Sequence, residues 1–124
     1  MKTTLFRVVL CGCAAVLAPA ADNASVTGRW QVHTSISGNE SDQLCTFTQK
    51  DDALGGTCAG ERGTFELSGK VDGNKVTWSY KSEYNGTPLT VIYEGALGPA
   101  TTIKGSVNVP EFAAAGDFMA TPAK

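Results

Sequence analysis

From Ser25 onward the chain alternates apolar and polar residues with a period of two, in segments about ten residues apart that Gly, Asn, Asp and Pro separate. Side chains on an extended strand point to opposite faces in turn, so this pattern describes strands with one buried and one wet face. No helical stripe of useful length interrupts it. The pattern predicts an all-β fold of about eight short antiparallel strands joined by tight turns. A simple meander satisfies that arrangement, and closing it into an up-and-down barrel removes the edges that invite aggregation. A two-sheet β-sandwich is the alternative, although it normally needs longer crossovers than these turns supply.

The first predicted strand, Thr27 to Thr34, sets Trp30 and Val32 against Arg29, Gln31 and His33, and a polar loop from Ser37 to Asp42 is expected after it. Leu44 to Gln49 and Ala53 to Ala59 flank Lys50-Asp51-Asp52 as a hairpin. Folding that hairpin about Asp51 and Asp52 pairs Gln49 with Leu54, Phe47 with Gly56 and Cys45 with Cys58 on one face. Residues directly opposite on antiparallel strands hold their Cβ atoms about 4.5–5.5 Å apart, close to what a disulfide needs. The register therefore predicts a Cys45–Cys58 bridge.

In the next strands Phe65, Leu67 and Val71 share one phase, then Val76, Trp78 and Tyr80, then Leu89, Val91, Tyr93 and Leu97, then Ile103, Val107 and Val109. Asp72-Gly73-Asn74 and Asn85-Gly86 mark turns, and the last strand is expected as a short piece around Asp117 to Thr121. Gly69, Gly95 and Gly105 fall inside strands, where a strongly coiled sheet bends.

The N-terminus reads differently. Lys2 and Arg7 precede an uncharged apolar run from Val8 to Leu17, and Ala18-Pro19-Ala20 follows as a small-residue cleavage signal. This predicts a signal peptide over residues 1–20 and one barrel domain over 21–124, secreted or periplasmic. The alternative takes Leu10-Cys11-Gly12-Cys13 as a lipoprotein-type site, with the protein anchored through Cys13. The apolar run is far short of the roughly 20 residues a transmembrane helix requires, so no transmembrane segment is expected. Removing Lys2 and Arg7 from the 10 basic residues leaves 8 against 12 acids, a net charge of about −4. Such a surface does not track a phosphate backbone, and nucleic acid is not an expected partner. Of the four cysteines, Cys45 and Cys58 remain after the leader, an even pair suited to an oxidising compartment.

Thr27-Gly28-Arg29-Trp30 resembles the Gly-x-Trp opening of the calycin superfamily, the lipocalins and avidins, and Ala53-Leu54-Gly55-Gly56-Thr57 is similar to the third-strand pattern of avidin-type chains. The resemblance implies a barrel whose first-strand tryptophan plugs one end. It transfers no ligand. Avidin-like barrels hold biotin with several tryptophans, whereas only Trp30 and Trp78 are present here, and the last strand lacks the arginine that calycins pack across the first-strand tryptophan.

Chemistry finds few carriers. His33 is the only histidine and lies in the outward phase, where no pocket orients it. Glu66, Glu83 and Glu94 are also outward, so no pair of acids shares a cleft. Asp51 and Asp52 read as turn formers rather than calcium ligands, and no metal or cofactor is expected. The interior aromatics are the remaining candidate. Trp78, Tyr80 and Tyr93, with Tyr84 at the Asn85-Gly86 hairpin tip, are the expected ligand-contacting residues. In an eight-stranded barrel they either fill the core or bind one small molecule. The leading expectation is a non-catalytic barrel that takes a small apolar or aromatic ligand at its open end. The alternatives are an accessory module that acts through its surface, with a filled core, and a small barrel-type enzyme.

Overall fold

The computed structural model describes residues 23–123; the leader expected over residues 1–20, with Cys11 and Cys13, lies outside them. Eight strands follow one another: β1 Gly28–Ile36, β2 Asn39–Lys50, β3 Ala53–Gly60, β4 Gly63–Asp72, β5 Lys75–Tyr84, β6 Thr87–Gly98, β7 Thr102–Val109 and β8 Ala114–Pro122. Each pairs antiparallel with the next, and β8 returns to pair with β1, so the sheet is a closed up-and-down barrel rather than a sandwich. Trp30 to Ile36 lie opposite Pro122 to Gly116, and the backbone N–H of Ala123 donates to Arg29 O beyond the last pair.

Inside the barrel sit the apolar phases of all eight strands. Val32, Val76, Ile103, Val107, Cys45 and Cys58 are fully buried. Trp78 packs in the middle, with Phe47 and Phe118 edge-on to its ring at 4.9 and 5.1 Å between centroids. Glycines make room for this packing. A Cβ placed on Gly95 would stand 2.8 Å from Cζ of Phe118, and one on Gly69 would strike the backbone of Thr77 on the next strand. The register predicted for β2 and β3 is observed in full, with Cys45 opposite Cys58, their Cα atoms 3.9 Å apart and their sulfurs bonded.

Two expectations are corrected. Ser37 to Asp42 is not a loop: only Ser37 and Gly38 turn, both at positive φ, and Asn39 already pairs with Ile36. At the rim even inward positions are wet, so Asn39-Glu40-Ser41-Asp42 carries no alternation to mark it as strand. The last strand is also longer than Asp117 to Thr121, because Ala114, Ala115 and Gly116 extend it without side chains that could display a phase.

The two ends differ. A short segment, Asn23 to Thr27, crosses one end and plugs it with Val26, which is 1% exposed. Its polar groups are bound in turn. Val26 N–H donates to Oε1 of Gln49 at 2.8 Å, Nε2 of Gln49 donates to Ala24 O at 2.9 Å, and Nε1 of Trp30 donates to Val26 O at 2.9 Å. Trp30 thus closes this end together with the plug. The opposite end is ringed by the turns at Ser37-Gly38, Glu61-Arg62, Asn85-Gly86 and Pro110–Phe112.

Candidate functional site

Just inside the open end, the apolar interior gives way to a polar group of four side chains from four strands. Thr34 on β1, Gln43 on β2, Tyr80 on β5 and Tyr93 on β6 all occupy inward phases. Nε2 of Gln43 donates to the Tyr80 hydroxyl at 3.0 Å. The Tyr80 and Tyr93 hydroxyls are 3.4 Å apart, and Thr34 Oγ1 is 3.5 Å from the Tyr93 hydroxyl. Most of these contacts sit at the long limit of hydrogen bonding, where each is weak. Burial, with Tyr80 beside it, pushes the Tyr93 hydroxyl far above the ordinary tyrosine range, so it stays a neutral donor.

Below this group lies a solid floor. Trp78 stacks on Tyr93, and both are nearly inaccessible. Trp78 Nε1 is buried without a hydrogen-bond partner, a placement that costs free energy in an apolar surrounding. Above it, Phe65 lies half-buried and stacked on Tyr80, centroids 5.1 Å apart and planes 11° apart. Trp78, Tyr80 and Tyr93 are therefore together, as their shared phase predicts.

Tyr84 is placed elsewhere. It stands on the rim, 48% exposed, edge-on to Phe112 at 6.0 Å, with the Arg62 guanidinium 5.7 Å from its ring centre. Phe112 is held there by its neighbour Glu111. The Glu111 carboxylate accepts from Thr90 N–H at 2.9 Å and from the Thr90 hydroxyl at 3.0 Å. The Thr90 N–H bond holds the Glu111 carboxyl below its usual range.

Sequence reasoning missed Thr34 and Gln43. Their signal was legible, since each interrupts an apolar inward phase, Thr34 after Trp30 and Val32 and Gln43 before Cys45 and Phe47. It also missed the setting of His33. The imidazole is outside the barrel and half-exposed, but it lies between two carboxylates, Nδ1 2.8 Å from Asp42 and Nε2 2.7 Å from Glu40. These hydrogen bonds, that of Asp42 first, raise its pKa and favour the charged ring.

Glu66, Glu83 and Glu94 are exposed, in the outward phase of their strands. Among the described residues no group of three or more His, Cys, Asp or Glu side chains is arranged to hold a metal ion. Two open clefts, about 480 and 420 Å³, lie at the plugged end beside Asn23 and Asp52, away from the aromatic group. No helix among the described residues is long and apolar enough to cross a membrane. No protein-family model, curated protein or solved structure matches this chain.

Proposed function

We propose that the protein is an exported, non-catalytic barrel of the calycin type, with a leader over residues 1–20, and that it holds a small aromatic or apolar molecule at its open end. The observation that carries this reading is the polar group of Thr34, Gln43, Tyr80 and Tyr93. Core filling alone is served better by Phe, Val or Leu, because buried hydroxyls and amides must find partners to offset their desolvation. Apart from the 3.0 Å bond from Gln43 to Tyr80, these four meet through long contacts, and such groups exchange partners readily when a ligand brings a better-placed donor or acceptor. Phe65 and Tyr80 supply a stacking surface beside them. Trp78 and Tyr93 serve as the floor, and Tyr84 reaches the ligand from the rim. The Cys45–Cys58 bridge supports the exported setting.

A second reading has its own observation. Trp78 and Tyr93 are 1% and 2% exposed and packed face to face, which supports a filled barrel interior. A filled barrel acts through its surface, as an accessory module. Native mass spectrometry of the mature protein recovered from its own host separates the two. A bound mass that disappears in a Tyr80→Ala variant is the expected result. Bare protein from the native source gives preference to the accessory role.

A further inference from the structure

β4 and β5 are each ten residues long but pair over only six, from Asp72 opposite Lys75 to Leu67 opposite Tyr80. Beyond that pair the two strands part. Gly63 to Glu66 continue on β3 alone, and Lys81 to Tyr84 continue on β6 alone. The barrel wall is therefore split at the open end.

The direction of the backbone groups along the split follows from the turns. Asp72 and Lys75 close a two-residue turn, as do Tyr84 and Thr87, and the residues flanking such turns bond to each other. Antiparallel alternation then sends Tyr84, Ser82 and Tyr80 toward β6, and Glu83, Lys81 and Ser79 toward β4. Thr90 gives an independent check. It lies opposite Lys81, and its N–H goes outward to Glu111 rather than to Lys81. By the same count Thr64 and Glu66 on β4 face β5. Thr64 and Glu83 thus turn both N–H and C=O into the split, past the last pair, with no residue of the other strand opposite them. Side chains span the split: Phe65 stacks on Tyr80 at its base, and Arg62 lies over the Tyr84 ring at its top.

Two facing strand edges with free donors and acceptors match one chemistry, the extended peptide backbone. We infer that the split between β4 and β5 receives an extended peptide segment of a partner, which adds a short strand between Thr64 and Glu83. Its inward side chain rests on Phe65 and Tyr80 and is aromatic or apolar. Its outward side chains pass exposed Glu66 and Glu83, with Lys81 between them, and a basic residue there meets the acidic flank. This surface shares Phe65 and Tyr80 with the small-molecule reading, whereas the main-chain groups of Thr64 and Glu83 belong to the peptide alone.

The test uses the whole mature protein and a pool of synthetic peptides about eight residues long, the length of a usual strand or slightly more, alternating Phe or Val with Lys or Thr. Amide exchange by NMR should show Thr64 and Glu83 fast and Ser68 and Ser79 slow in the free protein, and bound peptide should slow the first two. Glu83→Pro deletes an N–H that the barrel does not use and should weaken binding about tenfold, the worth of one main-chain hydrogen bond, whereas Glu83→Ala keeps the N–H and should bind like the parent. An N-methylated copy of the bound peptide asks the same question with the protein unchanged, and it should also bind more weakly. Equal binding by the two variants and by the methylated peptide overturns the proposal, as does a pool that protects neither amide. Protection that depends only on protein concentration overturns the peptide and assigns the split to a second copy of this chain.

Discussion

Trp78 and Tyr93 lie directly opposite one another on β5 and β6, and their rings stack with centroids 4.8 Å apart and planes 9° apart. The pair is the midpoint of an aromatic core that also takes in Phe47 and Phe118. Tyr93 serves two purposes that mutation can separate. Tyr93→Ala removes the stacked ring and should cost about 3–5 kcal/mol. Tyr93→Phe keeps the ring and removes only long hydroxyl contacts, so it should cost about 1 kcal/mol or less. Urea denaturation of the two variants measures the difference.

The bridge between Cys45 and Cys58 closes a loop whose ends are 13 residues apart. Replacing both cysteines with alanine should lower stability by about 3 kcal/mol through the greater freedom of the unfolded chain. The urea midpoint of the double variant should fall accordingly. A midpoint equal to the parent's would show that the β2–β3 hairpin is held by its register alone.

How much of this was legible before the fold was known depends on what each residue signals. The bridge was, because the Asp51-Asp52 turn sets the pairing and a period of two leaves no freedom in it. The inward phases of β4 to β7 were legible for the same reason. Asn39 to Asp42 were not, since a rim strand is wet on both faces, and Ala114 to Gly116 were not, since small side chains display no phase. The split was invisible for a deeper reason. Alternation continues through Thr64 to Glu66, polar Ser82 interrupts the inward phase of β5 only as any rim residue does, and the point at which two strands part depends on sheet coiling rather than on either strand's own pattern. The inward placement of Trp78, Tyr80 and Tyr93 was legible through their phase. Tyr84 shares that phase but belongs to a hairpin that has left the wall.

His33 should titrate above the ordinary histidine value of 6.5, because hydrogen bonds to Asp42 first and Glu40 second favour the charged ring. Charged His33 adds stability that is fully present below the unfolded-state value, and it is lost as pH rises through the higher folded value. NMR titration of the ring should place the midpoint above 6.5 in the parent, and in Asp42→Asn it should move down. A midpoint that does not respond to Asp42→Asn removes the carboxylate from the explanation.

Glu111 ties the Pro110–Phe112 turn to β6 where β7 no longer pairs with it. In Glu111→Gln the bond to Thr90 N–H loses its charge. Amide exchange at Thr90 should quicken, while the fluorescence of buried Trp78 stays as in the parent. With the Glu111 carboxyl held low, protection of the Thr90 amide relative to its intrinsic exchange rate should persist through the ordinary carboxylate range and be lost only below it.

Gly95→Ala tests the packing of glycines against rings. The added methyl meets the Phe118 ring and the backbone of Lys104, and the expected cost is about 1–3 kcal/mol, read as a lower midpoint in thermal unfolding. An unchanged midpoint would mean that Phe118 has room to turn aside.

The seam between β1 and β8 bears on how the chain reaches this state. Val32 meets Ala120, and Thr34 meets Phe118, across nearly the whole length of the described chain. Contacts so distant in sequence make folding slow, because the loop must close before its pairing is rewarded. Until the final residues arrive, β1 and β7 both offer open edges to any neighbour. A nascent or threaded chain therefore has no protected intermediate barrel, and arrival of the last strand sets the moment at which aggregation stops competing with folding.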